Sequence, residues 1–211
     1  MTAAEIMNHL NILFPNADCE LVHHDAYTLA ISVILSAQTT DAAVNKITPK
    51  LFEQYPTVFD LASAKQSDVE RYIKSIGLFR NKAQNIIGFS KEVVSKHNGI
   101  VPNSFSKLID LPGVGQKTAN VILSVWYHVP RIAVDTHVNR VSKRLRLAYQ
   151  NDDVFTVEKK LMKKFPKDQW SRLHHQMIFF GRYLCKSRNP ECERCPFTSF
   201  CYYYKNNKKG V

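Results

Sequence analysis

Four of the five cysteines, Cys185, Cys192, Cys195 and Cys201, stand close together near the C-terminus in the spacing C-x6-C-x2-C-x5-C. Thiols this dense read as a short loop wrapped about one centre, whatever the rest of the chain does. The opening MTAAEIMNHLNILF has neither a basic n-region nor a sustained apolar h-region, so a secreted chain with structural disulfides is not expected. A zinc ion or an iron-sulfur cluster remains, and each accepts four thiolates from a short loop. Spacing alone does not choose between them. Cys19 stands apart and reads as a small buried apolar residue.

The rest of the chain patterns as helices. Residues 3 to 14 place Ile6, Leu10 and Leu13 on one side, and Phe14, Pro15 and Asn16 stop the run. From Tyr27 to Ala37 the chain is apolar nearly all round, which predicts a buried central helix. Its β-branched residues also suit a buried strand, and the helical flanks favour helix. The polar run Gln38-Thr39-Thr40-Asp41 follows, with Asp41 placed to cap a helix over Ala42 to Phe52. Further helices are expected over 65–75, 82–97 and 154–164, the second of these closed by Asn98-Gly99. Trp170, Leu173, Met177, Phe180 and Leu184 step by three and four and read as a core stripe. His174 and His175 lie on that stripe, where a structural role outweighs metal ligation. The tail after Cys201 is aromatic, then basic, and is expected to fray. No strand pattern, internal repeat or stretch of 18 uninterrupted apolar residues occurs, so the fold class is all-α, in two helical domains, with no membrane span.

One segment concentrates chemistry. Leu111, Pro112, Gly113, Val114 and Gly115 lie between the apolar-periodic run Phe105, Leu108, Ile109 and a second run on Ala119, Ile122, Val125 and Trp126. This predicts helix, tight turn, helix. Two glycines permit positive φ and close backbone approach, and the N–H groups of Val114, Gly115 and Gln116 are expected to point outward at the second helix's start, a corner suited to a phosphate. Lys117 falls in that helix's first turn, where the positive end of the dipole disfavours an ammonium group. An amine there could attack a sugar C1′ and hold it as a Schiff base. Asp135 precedes Val138, Val141 and Leu145 at helical spacing and is a natural N-cap. For each residue the plain alternative is structural, a solvated lysine and a capping aspartate.

Charge points to a partner. Residues 1–130 carry 11 Lys/Arg and 11 Asp/Glu, while residues 131–211 carry 18 and 7, so the whole net charge of +11 resides in the second part. A basic portion joined to a neutral one suggests a polyanion, most simply nucleic acid, with solubility as the bland alternative. Lys143, Arg144, Arg146, Lys159, Lys160, Lys163 and Lys164 make up much of it.

LPGVGQKTAN followed by VDTHVNRV, together with the cysteine spacing, resembles the helix-hairpin-helix DNA glycosylases of the endonuclease III family, over almost the full chain. The resemblance implies Lys117 as nucleophile and Asp135 as its assistant. It also implies a 4Fe-4S cluster on Cys185, Cys192, Cys195 and Cys201, and DNA contacts from the hairpin at Leu111, Gly113, Val114 and Gly115. ILSAQTTD resembles the motif whose glutamine, here Gln38, fills the space left by an extruded nucleotide. Leu78, in IGLFRNKAQNI, matches the leucine that wedges into the opposite strand. Lys186 and Arg188, between the first two cysteines, match a phosphate clamp. Where the family often has a histidine before GRY, this chain has Phe180.

The implied architecture is a six-helix domain over residues 19–129 and a cluster domain joining residues 1–18 to 130–211, with the active cleft between them. The implied activity is excision of oxidised pyrimidines from double-stranded DNA and cleavage 3′ to the abasic site by a bacterial, cytoplasmic monomer. Two alternatives stay open. A mismatch adenine glycosylase would share the cluster but typically lacks the hairpin lysine, and a non-catalytic iron-sulfur protein would bind DNA without releasing a base.

Overall fold

The computed structural model describes residues 1–207, and these contain helices and turns but no strand. The last four residues of the tail, expected to fray, lie outside the described residues. No helix is long and apolar enough to cross a membrane. The chain divides into two compact units, one spanning Cys19–Val129 and the other joining Met1–Asp18 to the chain from Pro130 onward.

The Cys19–Val129 unit is built around α2 (Ala26–Leu35). Asp25 caps it by accepting from the Thr28 backbone N–H at 2.7 Å, and every residue from Tyr27 to Leu35 is buried. A helix apolar on all sides can be covered only by neighbours on all sides, and α3 (Asp41–Gln54), α6 (Phe79–His97) and α8 (Gln116–Val125) pack against it. The cap of α3 is Thr40, whose hydroxyl accepts from Ala43 N–H at 3.2 Å, one residue before the expected Asp41. Two shorter helices, α4 (Val58–Ala62) and α5 (Gln66–Ile73), pack on α6. Asn98 and Gly99 close α6 at φ +53° and +79°. The short α7 (Phe105–Ile109) leads into the hairpin and α8. Cys19, expected as a small buried residue, is only partly buried.

In the other unit, α1 (Ala3–Leu13) carries a capping box between Thr2 and Glu5. Its Ile6 and Leu10 enter one core with Val138 and Val141 of α9 (Thr136–Arg144), Val157 and Leu161 of α10 (Val154–Lys164), and Leu173 and Met177 of α11 (Trp170–Phe179). Each such side chain contributes about 1.5–3 kcal/mol on full burial. Gln176 Nε2 donates to Asn11 Oδ1 at 2.8 Å and so ties α1 to α11. The core stripe continues past α11 as a π-helical segment, Phe180–Leu184, which keeps Phe180 and Leu184 inward. His174 and His175 are buried, and burial pushes the His175 imidazole down from its ordinary value. A final short helix, α12 (Tyr202–Asn207), follows Cys201.

Candidate functional site

The hairpin's two glycines do different work. Gly113 adopts φ +75°, and a Cβ there would sit 2.9 Å from Asn85 Cβ and 3.1 Å from Ile34 Cγ2. It is required both by the turn and by the close approach of α2 and α6. Gly115 has φ −94°, and a Cβ on it would meet nothing within 4 Å. Neither conformation nor packing within the fold explains a glycine there. Val114 N–H donates back to Leu111 O at 3.1 Å, so it closes the turn rather than pointing outward as expected. Leu111 and Val114 side chains are buried, leaving backbone as what they can offer a partner. No side chain caps the N-terminus of α8. Lys117 is exposed in its first turn.

Asp135 is the N-cap of α9, its Oδ1 accepting from Val138 N–H at 2.8 Å, and it is only half-buried. Capping fixes the carboxylate in place while leaving its second oxygen to other partners. At the other end of α9, Arg144 is buried and turned inward. Its Nη1 donates to Lys186 O at 2.7 Å and to Cys185 Sγ at 3.3 Å, its Nη2 donates to Ser187 O at 3.2 Å, and its guanidinium lies 3.9 Å from the centre of the Tyr203 ring. Arg140 adds bonds to Cys185 O at 3.2 Å and Gly181 O at 2.7 Å. Two arginines that charge alone would assign to a solvated face thus hold the cysteine loop. Their spacing, one helical turn apart, was the available signal.

Cys185, Cys192, Cys195 and Cys201 line one cavity with Arg144, Phe180, Leu184 and Tyr203. Phe180, in the position noted above, is fully buried and meets Phe197 edge-on at 5.2 Å. Burial pushes the Cys195 thiol up to about 11 and also raises Cys185, the latter opposed by Arg144. Thiolates in such a place need a cationic centre among them. Among the described residues no group of three or more His, Cys, Asp or Glu side chains is set to hold a metal ion. A cavity lined by four cysteines fits an iron-sulfur cluster, which takes four thiolates. In the same loop, Lys186 pairs with Glu191 at 2.7 Å, whereas Arg188 is exposed.

Gln38 and Leu78 share an unusual state. Both are non-glycine residues in the left-handed region, at φ +54° and +58°, and both are exposed, Leu78 at 58%. Each such residue costs about 1–2 kcal/mol, and an exposed leucine recovers none of that by burial. Lys82, which the sequence reading passed over, bonds to the segment of each. It is 4% exposed and donates from Nζ to Thr39 Oγ1 at 2.5 Å.

A family model described as HhH-GPD superfamily base excision DNA repair protein matches residues 31–167, and the iron-sulfur binding domain of endonuclease III matches residues 185–201. Endonuclease III of Bacillus subtilis is 49% identical over 206 residues, covering 97% of this chain and 94% of that protein. The chain belongs to the endonuclease III family. Endonuclease III of Escherichia coli is 41% identical over 199 residues, covering 94% of each. A solved structure of a trapped endonuclease III–DNA covalent intermediate superposes with TM-score 0.95 at 49% identity, covering 99% of both chains. A thermostable thymine-DNA glycosylase, 24% identical with TM-score 0.85 over 97% of each chain, shares the fold. As a member of this family, the chain is a base excision repair DNA glycosylase with AP lyase activity. Its cofactor is a 4Fe-4S cluster, which decides the choice that spacing left open.

Proposed function

We propose that Lys117 is the nucleophile, Asp135 its assistant, and an oxidised pyrimidine in double-stranded DNA the base released. The Lys117 amine attacks C1′ as the N-glycosidic pair leaves with the base, the lysine nitrogen gives up a proton, and its lone pair then expels the ring oxygen O4′, which takes up a proton, to open the sugar as the Schiff base. Loss of a C2′ proton then expels the 3′ phosphate by β-elimination. Asp135 accepts the proton of the Lys117 ammonium and balances positive charge growing on the sugar. The observation carrying this reading is the exposed Lys117 on the uncapped first turn of α8, directly behind the open backbone of Gly115. That corner suits a DNA phosphate and holds the sugar beside the amine. A relative trapped covalently on DNA supports the chemistry.

Cys185, Cys192, Cys195 and Cys201 would hold the cluster. When bound, it supplies a rigid framework for the loop bearing Lys186 and Arg188, which we assign to phosphate contacts. With Gln38 and Leu78 as the side chains that occupy the opened stack, every step is met within one chain. We therefore read the protein as a monomer of the bacterial cytoplasm. Borohydride reduction during turnover should leave DNA covalently attached at Lys117, located by peptide mapping. Base release by Lys117→Gln at the wild-type rate would end the assignment.

A further inference from the structure

We propose that Lys82 is a positioning residue that sets the Gln38 loop and the Leu78 turn in one register, so that both wedges meet the opened duplex together. The inference rests on the reading of Gln38 and Leu78 as wedges.

The geometry is a double tie. Through its backbone, Lys82 N–H donates to Leu78 O at 3.0 Å and closes the first turn of α6 immediately behind the left-handed leucine. Through its side chain, Lys82 Nζ donates to Thr39 Oγ1 at 2.5 Å. The Thr39 hydroxyl spans back across Gln38 to Ala37 O at 3.4 Å. With its lone pair taken by the ammonium, the hydroxyl's own proton is directed to that carbonyl. One residue therefore grips both left-handed positions, although they lie 40 residues apart in the sequence.

Lys82 is also a poor choice for stability. It is a buried ammonium in the first turn of a helix, where the dipole opposes positive charge, and burial pushes it down from its ordinary value. Its one side-chain hydrogen bond goes to a neutral hydroxyl, and among the described residues no carboxylate pairs with it. An apolar side chain of equal length would fill the space without that penalty. A lysine retained at such a cost is explained by what its bond holds, the Gln38 loop.

The test uses Lys82→Met, which keeps the unbranched chain and removes the donor, and Thr39→Val, which removes the acceptor. Two substrates are compared in single turnover: a duplex with one oxidised pyrimidine, and a single-stranded oligonucleotide with one preformed abasic site, which has no opposite strand to wedge. Each variant should lose about tenfold or more in base release from the duplex, equivalent to one factor of ten in transition-state stabilisation. Strand cleavage on the single-stranded substrate should stay within about twofold. The double variant should be no worse than Lys82→Met, because both remove the same bond. The thermal midpoint of Lys82→Met should be unchanged or higher, which a merely structural lysine would not give. Wild-type base release by Lys82→Met, equal losses on both substrates, or losses that multiply in the double variant would each overturn the proposal. Gln38→Ala and Leu78→Ala separate the two levels. If they lose base release while Lys82→Met does not, only the Lys82 inference fails; if both are silent, the wedge reading fails and takes the inference with it.

Discussion

Replacing each hairpin glycine by alanine should divide stability from binding. At Gly113 an alanine must hold φ +75°, which costs about 1–2 kcal/mol. Its methyl also lands 2.9 Å from Asn85 Cβ and 3.1 Å from Ile34 Cγ2, both on packed helices, and overpacking of this kind adds about 1–3 kcal/mol. The two costs together come to about 2–5 kcal/mol, and for a chain of this size each kcal/mol lowers the thermal midpoint by about 2–4 °C, so a fall of roughly 4–20 °C is expected. At Gly115, φ is −94° and the added methyl meets nothing. The poorer N-cap costs some tenths of a kcal/mol, and the stiffer unfolded chain returns about 0.4–1 kcal/mol, leaving the midpoint within about 2 °C. The methyl does, however, occupy the approach to the α8 N-terminus. Loss of one charge-assisted bond there costs about 1.5–3 kcal/mol, or at least about tenfold in Kd for duplex DNA. Differential scanning calorimetry and fluorescence anisotropy at one fixed salt concentration measure the pair. A Gly115→Ala protein that binds duplex with wild-type affinity, or a Gly113→Ala protein with an unchanged midpoint, would refute the division of roles.

At Asp135 the cap and the charge can be parted. Asp135→Asn keeps a good N-cap and should hold its thermal midpoint while losing on the order of 10²–10⁴ in single-turnover base release, whereas Asp135→Ala should also lose about 1 kcal/mol in denaturant unfolding. Arg144→Met removes four bonds to residues 185–187 and the stack on Tyr203, so the visible absorbance of the cluster should bleach faster in air while the helical circular dichroism persists. The Lys160 bond lowers Asp152, and the Thr156 backbone bond lowers Asp153, below the ordinary carboxylate value. A folded-state value below the unfolded one gives stability that is present above about pH 4 and is lost as pH falls through the folded value. Chemical denaturation between pH 2.5 and 5, a range set about the carboxylate values, should therefore show a shallower acid limb for a double Asp152→Asn, Asp153→Asn variant than for wild type.

Much of this was legible because long periodic runs leave little freedom. A segment apolar on every side, such as Tyr27–Leu35, has to be central, and the run from Val154 to Lys164 has a capping aspartate before it and an aromatic after it. Short elements were harder to see: α4 has five residues, too few for a period to show. The cap of α3 moved by one residue because Thr40 and Asp41 are both good caps and only geometry decides between them. Charge misled at Arg144, since a guanidinium is satisfied by carbonyls as readily as by water, and the loop that supplies them lies about 40 residues away in the sequence.

The left-handed residues were hidden for a deeper reason. Sequence patterns record what a fold prefers, and Gln38 and Leu78 are positions where the fold is held against preference. Glycine would relieve φ at both, and Gly77 is already next to Leu78. Burial would reward the leucine, yet it is 58% exposed. Neither backbone preference nor a core contact accounts for that leucine within the free protein. On the proposed reading, the opened base stack of the DNA substrate would return that cost, since its shape and polarity suit a leucine and an amide together. This is why resemblance could name the two residues when pattern could not, and why the structure adds what neither supplied, the buried Lys82 that reaches both.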